Sequence, residues 1–328
     1  MRICILRMWL TSFIALTLFL SIQTIAWGAN FERRDVTFKS QGLNCAGWYY
    51  VPTQTTSETK LPAIVMAHGW SLVKEAYLDK YAEKFAEAGF AVLVFDYRYT
   101  GGSEGTPRGQ LFYFDQQQDY RNAITWVSLQ PEVDTERIGI WGTSNSGGHV
   151  LHLGVFDKRV KAVVSQVPGT DVPDRYSTMN SDSLARRIKW QATQRVEQYK
   201  TGVIKYFPVI APIGTPSVFP SKDAYDFFTE VSKIAPNWEN KVTVETLEIY
   251  REYAPTKYIQ MLSPTPLLMI VASNDDLVST KAQLDAFERA REPKKLVIIE
   301  GGHFAVYRGS GFDTAVTEAV EWFKASLK

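Results

Sequence analysis

A formal net charge of +1 over 328 residues, with neither a basic cluster nor an acidic tail, argues against nucleic acid as a partner. Hydrophobic residues make up 45% of the chain and aromatic residues 13%, enough for one large core, so a single α/β domain with an insertion suffices.

Residues 1–28 carry Arg2 and Arg7, an apolar stretch from Met8 to Ile25, and Ala26-Trp27-Gly28, where small residues stand two apart. This pattern predicts a signal peptide cleaved near Gly28 or Ala29, and hence a periplasmic or secreted protein with its main domain over 29–328. The apolar run is long for a signal and, if retained, would anchor the protein in a membrane. Cleavage moves the net charge to −1, because two arginines leave and no acid does. It also removes Cys4, leaving Cys45 without a disulfide partner; Cys45 lies in a strand-like run with no neighbouring histidine and is expected to serve packing.

Beyond the leader, Arg34–Phe38 and Leu43–Val51 have the composition of two strands turning at Gly42 and ending at Pro52. After a polar loop, Thr53–Lys60, the run Leu61–Ala67 is continuously apolar, as in a strand buried on both faces of a parallel sheet, and it delivers His68-Gly69-Trp70. Tyr77, Tyr81, Phe85 and Ala88 recur at helical spacing up to Gly89. Phe90–Phe95 is the next buried strand, followed by Asp96 and a glycine-rich loop to Gly105. A helix is expected over about Asp115 to Leu129, then a strand at Arg137–Trp141, a helix carrying Val150, Leu151, Leu153 and Val155, and a strand at Val160–Val167. Strands alternating with helices at these intervals predict a doubly wound, mostly parallel sheet.

The alternation stops from Pro168 to about Ser263. This insertion leans to helix and is dense in Trp, Tyr and Phe, and a segment of that length between core strands predicts a cap over a site, with many of its aromatics packing it onto the sheet. Its lining predicts a preference for bulky or aromatic substrate groups. The core pattern resumes with the strand Pro266–Ala272, a helix from about Thr280 to Ala290, the strand Lys295–Ile299, the turn Glu300-Gly-Gly-His303 and a closing amphipathic helix through Trp322.

Chemistry concentrates at Arg137-Ile-Gly-Ile-Trp-Gly-Thr-Ser-Asn-Ser-Gly-Gly-His-Val150. Gly142-x-Ser144-x-Ser146 has the small-residue spacing of a nucleophile elbow, a strained strand-to-helix turn that lifts a serine hydroxyl clear of the sheet; Ser146 stands where the usual pattern has glycine. A serine needs a base, and the base needs an orienting group. Of four histidines, His149 and His152 sit behind the elbow and lack a third metal ligand, and His68 suits a scaffold role in its loop. His303, in a loop at the carboxyl end of the sheet, is left as the base. Asp275 and Asp276 follow the preceding strand, and either would orient it. The order serine, aspartate, histidine is that of the α/β-hydrolases. The backbone N–H of Asn145, just past the nucleophile, and that of Trp70 are the expected oxyanion donors.

Gly142–Gly148, Ala67–Trp70, Phe95–Ser103, Asn274-Asp275 and Gly301–Phe304 together resemble the α/β-hydrolase superfamily, near the dienelactone-hydrolase and prolyl-peptidase-like serine hydrolases, over about residues 35–168 and 264–328. The resemblance implies an eight-stranded sheet with a triad of Ser144, Asp275 and His303, the acid being Asp275 because the family pattern has Asn-Asp before a short apolar pair. A serine nucleophile argues against dehalogenase-type chemistry. The expectation is an exported hydrolase of carboxylic esters, acting on a small-molecule ester or other acyl substrate with no cofactor and no metal. An acyltransferase, thioesterase or peptidase would use the same triad, and an inactive binding protein on this fold is the alternative of another kind.

Overall fold

A computed structural model of the chain describes residues 30–53 and 60–328. The expected leader and most of the 53–60 loop lie outside the described residues. The first two strands, β1 (Phe31–Ser40) and β2 (Leu43–Pro52), form an antiparallel hairpin. Its two-residue turn, Gln41-Gly42, has both φ angles positive, the backbone twist that a tight hairpin demands. Then follow β3 (Leu61–Ala67), α1 (Leu78–Glu87), β4 (Ala91–Phe95), α2 (Tyr113–Ser128), β5 (Val133–Thr143), α3 (Asn145–Phe156) and β6 (Val160–Gln166).

Between β6 and the next sheet strand the chain forms α4 (Val172–Ser177), α5 (Ser181–Thr201), the short strand β7 (Tyr206–Phe207), α6 (Lys222–Ile234), a second short strand β8 (Val242–Thr243) and α7 (Val244–Ile249), with single 3-10 turns at Tyr250–Glu252 and Ile259–Met261. It closes with β9 (Leu267–Ala272), α8 (Thr280–Arg289), β10 (Lys294–Ile299) and α9 (Gly309–Ser326). The helical lean of the β6–β9 segment is as expected. The β7–β8 ribbon is not foreshadowed, since a two-residue strand carries no readable alternation.

Eight strands make one sheet in the order β1-β2-β4-β3-β5-β6-β9-β10, antiparallel at β1 and β2 and parallel from β4 to β10. The continuous apolar runs are explained by burial on both faces. On β3, Ile64 and Met66 join one core with α1 and α9, while Ala63, Val65 and Ala67 join the other with α2, α3 and α8. Close packing of α9 depends on Gly139, where a Cβ would stand 2.6 Å from the Phe323 ring. No helix among the described residues is long and apolar enough to cross a membrane.

The aromatics of the β6–β9 segment divide by depth. Phe227, Phe228 and Tyr253 are buried, and Phe227 stacks on Phe304 at 4.0 Å between ring centroids, so this part of the segment is joined to the main core. Trp190, Tyr199, Tyr206 and Tyr258 are exposed on its outer side. Density of aromatics in the sequence did not distinguish these two uses.

Candidate active site

The carboxyl ends of β5, β9 and β10 bring the three expected residues together. Ser144 stands between β5 and α3 with φ 56° and ψ −117°, a conformation that a side chain other than glycine rarely holds. The turn is tight enough that a Cβ on Gly142 would come within 2.2 Å of the Ser146 carbonyl oxygen. Ser146, in the position usually occupied by glycine, is fully buried and its hydroxyl is bonded to that of Tyr97. Ser144 alone of the two is partly exposed.

His303 Nδ1 lies 2.7 Å from Asp275 Oδ2, and His303 Nε2 lies 3.0 Å from Ser144 Oγ. The carboxylate accepts at Nδ1, so Nδ1 carries the proton and Nε2 is left to accept from the serine. Asp275 is buried and held on all sides: Oδ1 accepts from the N–H groups of Leu277 and Val278 at 3.0 and 2.9 Å, and Oδ2 also accepts from Gln283 Nε2 at 2.9 Å. Asp276, its neighbour, points to solvent. Of the two aspartates left open by the residue pattern, Asp275 is the one against the imidazole.

The loop His68-Gly69-Trp70 abuts the serine, since a Cβ on Gly69 would lie 3.1 Å from Ser144 Cβ. Among the described residues no group accepts from the backbone N–H of Trp70 or of Asn145. Trp238 Nε1 donates to the Ser71 carbonyl at 2.7 Å, and the Trp70 ring is flanked by Phe219 and Tyr250 at 5.4 and 6.0 Å between centroids. His68 is fully buried, with Nδ1 against the Gly69 carbonyl at 2.9 Å and Nε2 3.7 Å from Asp96; burial holds its pKa below the ordinary value. Its ring packs edge-on against Tyr97 and its Nδ1 holds the loop through the Gly69 carbonyl. His152 packs on Phe156, and burial lowers its pKa to about 4.

Behind the elbow lies a buried polar cluster that sequence reasoning missed. Asn145 Nδ2 donates to Gln116 Oε1 at 2.9 Å, and the Tyr250 hydroxyl donates to Asn145 Oδ1 at 2.8 Å. His149 Nε2 lies 2.9 Å from the same Gln116 oxygen, and its Nδ1 lies 2.9 Å from the Tyr253 hydroxyl, which donates to the Asn145 carbonyl at 3.2 Å. Burial keeps His149 neutral, its pKa well below normal. Gly148 makes room for this contact: a Cβ there would be 2.5 Å from the Tyr253 hydroxyl. No local signal reveals these partners, since Gln116 stands 29 residues before Asn145 and Tyr250 stands 105 after it. Asp223 of α6 was also missed. Its carboxyl hangs beside Gly302, and burial followed by the proximity of Asp276 raises its pKa against the opposing pull of His303 and Arg308.

A cavity of about 670 Å³ lies elsewhere, between α5 and α7, lined by Gln191, Val196, Tyr199 and Glu248 among others. It includes none of the serine, imidazole, carboxylate or loop residues just described, so its size is no guide to the chemistry.

With a serine held on a strained elbow against an imidazole and a carboxylate, on an eight-stranded doubly wound sheet, comparison with known proteins is informative. Residues 48–204 match the X-Pro dipeptidyl-peptidase (S15) family. The chain is 32% identical over 292 residues to the quorum-quenching protein AidA of Acinetobacter baumannii, covering 88% of this chain and 94% of that protein. It is 33% identical over 294 residues to the thiohydrolase aneE of Aspergillus aculeatus, covering 87% and 91% respectively. The crystal structure of the α/β hydrolase GrgF from Penicillium sp. sh18 superposes with a TM-score of 0.77 at 27% identity, over 90% of this chain and 99% of that one. The chain belongs to the α/β-hydrolase superfamily and is a serine hydrolase.

Proposed function

We propose that Ser144, His303 and Asp275 are a catalytic triad, that the backbone N–H groups of Trp70 and Asn145 form the oxyanion hole, and that the enzyme is exported and cleaves carboxylic esters. The observation that carries this reading is the single imidazole bridging Ser144 Oγ at 3.0 Å and Asp275 Oδ2 at 2.7 Å. Ser144 Oγ attacks the ester carbonyl as its proton passes to His303 Nε2, and Asp275 holds the resulting imidazolium. Charge developing on the carbonyl oxygen is met by the two N–H groups, which need no reorganisation to receive it. His303 returns the proton to the departing alkoxide, leaving an acyl-enzyme. Water, deprotonated by the same imidazole, then releases the acid.

The β6–β9 segment is the cap in this reading, and its aromatic side favours bulky or aromatic acyl groups. Thioester cleavage is a second reading, favoured by the likeness to a thiohydrolase over most of both chains. The same attack serves a thioester, with thiolate in place of alkoxide. Matched oxygen esters and thioesters of one acyl group, assayed for kcat/KM, separate the two readings: a ratio above one for the oxygen ester is expected, and a strong excess for the thioester would transfer the assignment. Along a series of p-nitrophenyl esters, each added methylene contributes about 0.8 kcal/mol, roughly fourfold in kcat/KM, while room remains; a constant falling steadily from acetate would contradict an apolar cap. Export is tested by the mature N-terminus after bacterial expression, expected near Ala29 in the periplasm or medium; an intact Met1 in the membrane fraction would mean an anchor instead.

A further inference from the structure

The two proposed oxyanion donors come from opposite sides of the serine, Trp70 after β3 and Asn145 at the start of α3, and they belong to parts of the chain about 75 residues apart. Both are touched by one residue of the β6–β9 segment. The Tyr250 hydroxyl donates to Asn145 Oδ1 at 2.8 Å, and the Tyr250 ring stands 6.0 Å from that of Trp70, inclined by 61°. Tyr250 is itself fixed, stacked on Tyr253 at 5.2 Å, and Tyr253 in turn bonds to His149 behind the elbow. From the other side, Asn145 Nδ2 is tied to Gln116 of α2. The Asn145 side chain is thus held by the core at one end and by the β6–β9 segment at the other. That segment is also bonded to the serine backbone, through the Gly169 N–H to the Ser144 carbonyl at 2.7 Å.

We propose that Tyr250 is a positioning residue for the oxyanion hole, holding Asn145 by its hydroxyl and Trp70 by its ring, so that the two N–H donors are aligned only while the cap is seated on the elbow. The inference rests on the triad reading above. It assigns the cap a part in the chemical step as well as in substrate choice. A donor must meet the oxygen where charge develops, and a small tilt of the residue that carries it weakens the transition state more than the bound ester, in which that oxygen is nearly neutral. Loss of the Tyr250 hydroxyl therefore acts on kcat.

Tyr250→Phe is the discriminating variant, because it keeps the ring against Trp70 and Tyr253 and removes only the bond to Asn145. Turnover is counted per site titrated with a fluorophosphonate, which excludes misfolded enzyme. The expected result is a fall in kcat of about tenfold with KM within twofold of the parent, and a matching loss of affinity for an arylboronic acid, which mimics the tetrahedral adduct. In the Asn145→Ala background, where the backbone N–H remains but the side-chain anchor is gone, Tyr250→Phe should add less than twofold. An unchanged kcat in Tyr250→Phe, a loss confined to KM, or full additivity with Asn145→Ala would each overturn the proposal. Failure of the triad reading is recognised separately, by ester hydrolysis persisting in Ser144→Ala.

Discussion

His303 and His68 each face an aspartate near the carboxyl edge of the sheet, and the two pairs differ in distance and in what else the aspartate holds. Asp275 lies 2.7 Å from His303 and, among the described residues, is met otherwise by neutral donors, two backbone N–H groups and the Gln283 amide. Asp96 lies 3.7 Å from His68, and its oxygens accept from the Lys74 ammonium at 2.9 Å, the Lys74 N–H at 2.7 Å and the Gly102 N–H at 2.9 Å. The charge of Asp96 is shared with a lysine, and its pull on the His68 imidazole is outweighed by burial. A histidine beside an aspartate is therefore not enough to identify a base. What separates the pairs, among the described residues, is an aspartate bonded to neutral donors and, on the far nitrogen of the imidazole, a partly exposed hydroxyl.

That contrast is sharpest in substitutions of the two acids. Asp275→Asn should lower kcat by about 10⁴, because an amide no longer selects the tautomer with Nδ1 protonated. Asp276→Asn, changing a side chain that points to solvent, should stay within a few-fold of the parent in the same ester assay. Equal losses in both variants would remove the distinction between the adjacent aspartates. Asp96→Asn should act on the fold instead. It removes one of the two counter-ions of the Lys74 ammonium, leaving Glu75 at 2.6 Å, at a cost of about 2 kcal/mol, read as a lower urea midpoint, with turnover per titrated site little changed. A catalytic loss there as large as that of Asp275→Asn would contradict the division of labour.

A smaller effect concerns pH. Burial lowers the pKa of His68 and His149 and brings that of His152 to about 4, whereas in the unfolded chain each takes up a proton near 6.5. Folded, these imidazoles are neutral where the unfolded ones are charged, so the unfolded state binds more protons and stability falls as pH drops below about 6.5. For His152 this loss runs from about 6.5 down to about 4 and then levels off. Urea midpoints taken between pH 7 and 4 should decline, and His152→Asn should flatten part of the slope; a profile independent of pH would contradict the buried, neutral state of all three. Least of all is expected from Ser146→Ala, which loses the bond to Tyr97 for about 1 kcal/mol of stability and keeps its esterase activity.

Much of this is legible in the sequence, for local reasons. The sheet announces itself through runs such as Leu61–Ala67 and Leu267–Ala272, apolar without alternation because both faces are covered. The proposed triad is readable because each member sits in a short turn with its own composition: small residues around Ser144, Asn274-Asp275 after a buried strand, Gly301-Gly302 before His303. The supports of the site are of a different kind. Gln116, Tyr250 and Tyr253 meet Asn145 and His149 across long stretches of sequence, and their residue types are common on any helix or turn. Tyr250 and Tyr199 belong to the same aromatic-rich segment, yet one bonds beneath the elbow and the other is 92% exposed. Tyr250 lies in a three-residue 3-10 turn, too short for periodicity to decide which way its side chain faces.

A fluorophosphonate probe tests in one experiment the proposal that Ser144 is the activated nucleophile and His303 its base. Intact mass followed by peptide mapping should give one adduct per chain, on Ser144. Ser144→Ala should show none, and His303→Ala should label slower by orders of magnitude. An unlabelled parent enzyme, or an adduct that persists in Ser144→Ala, would contradict the assignment.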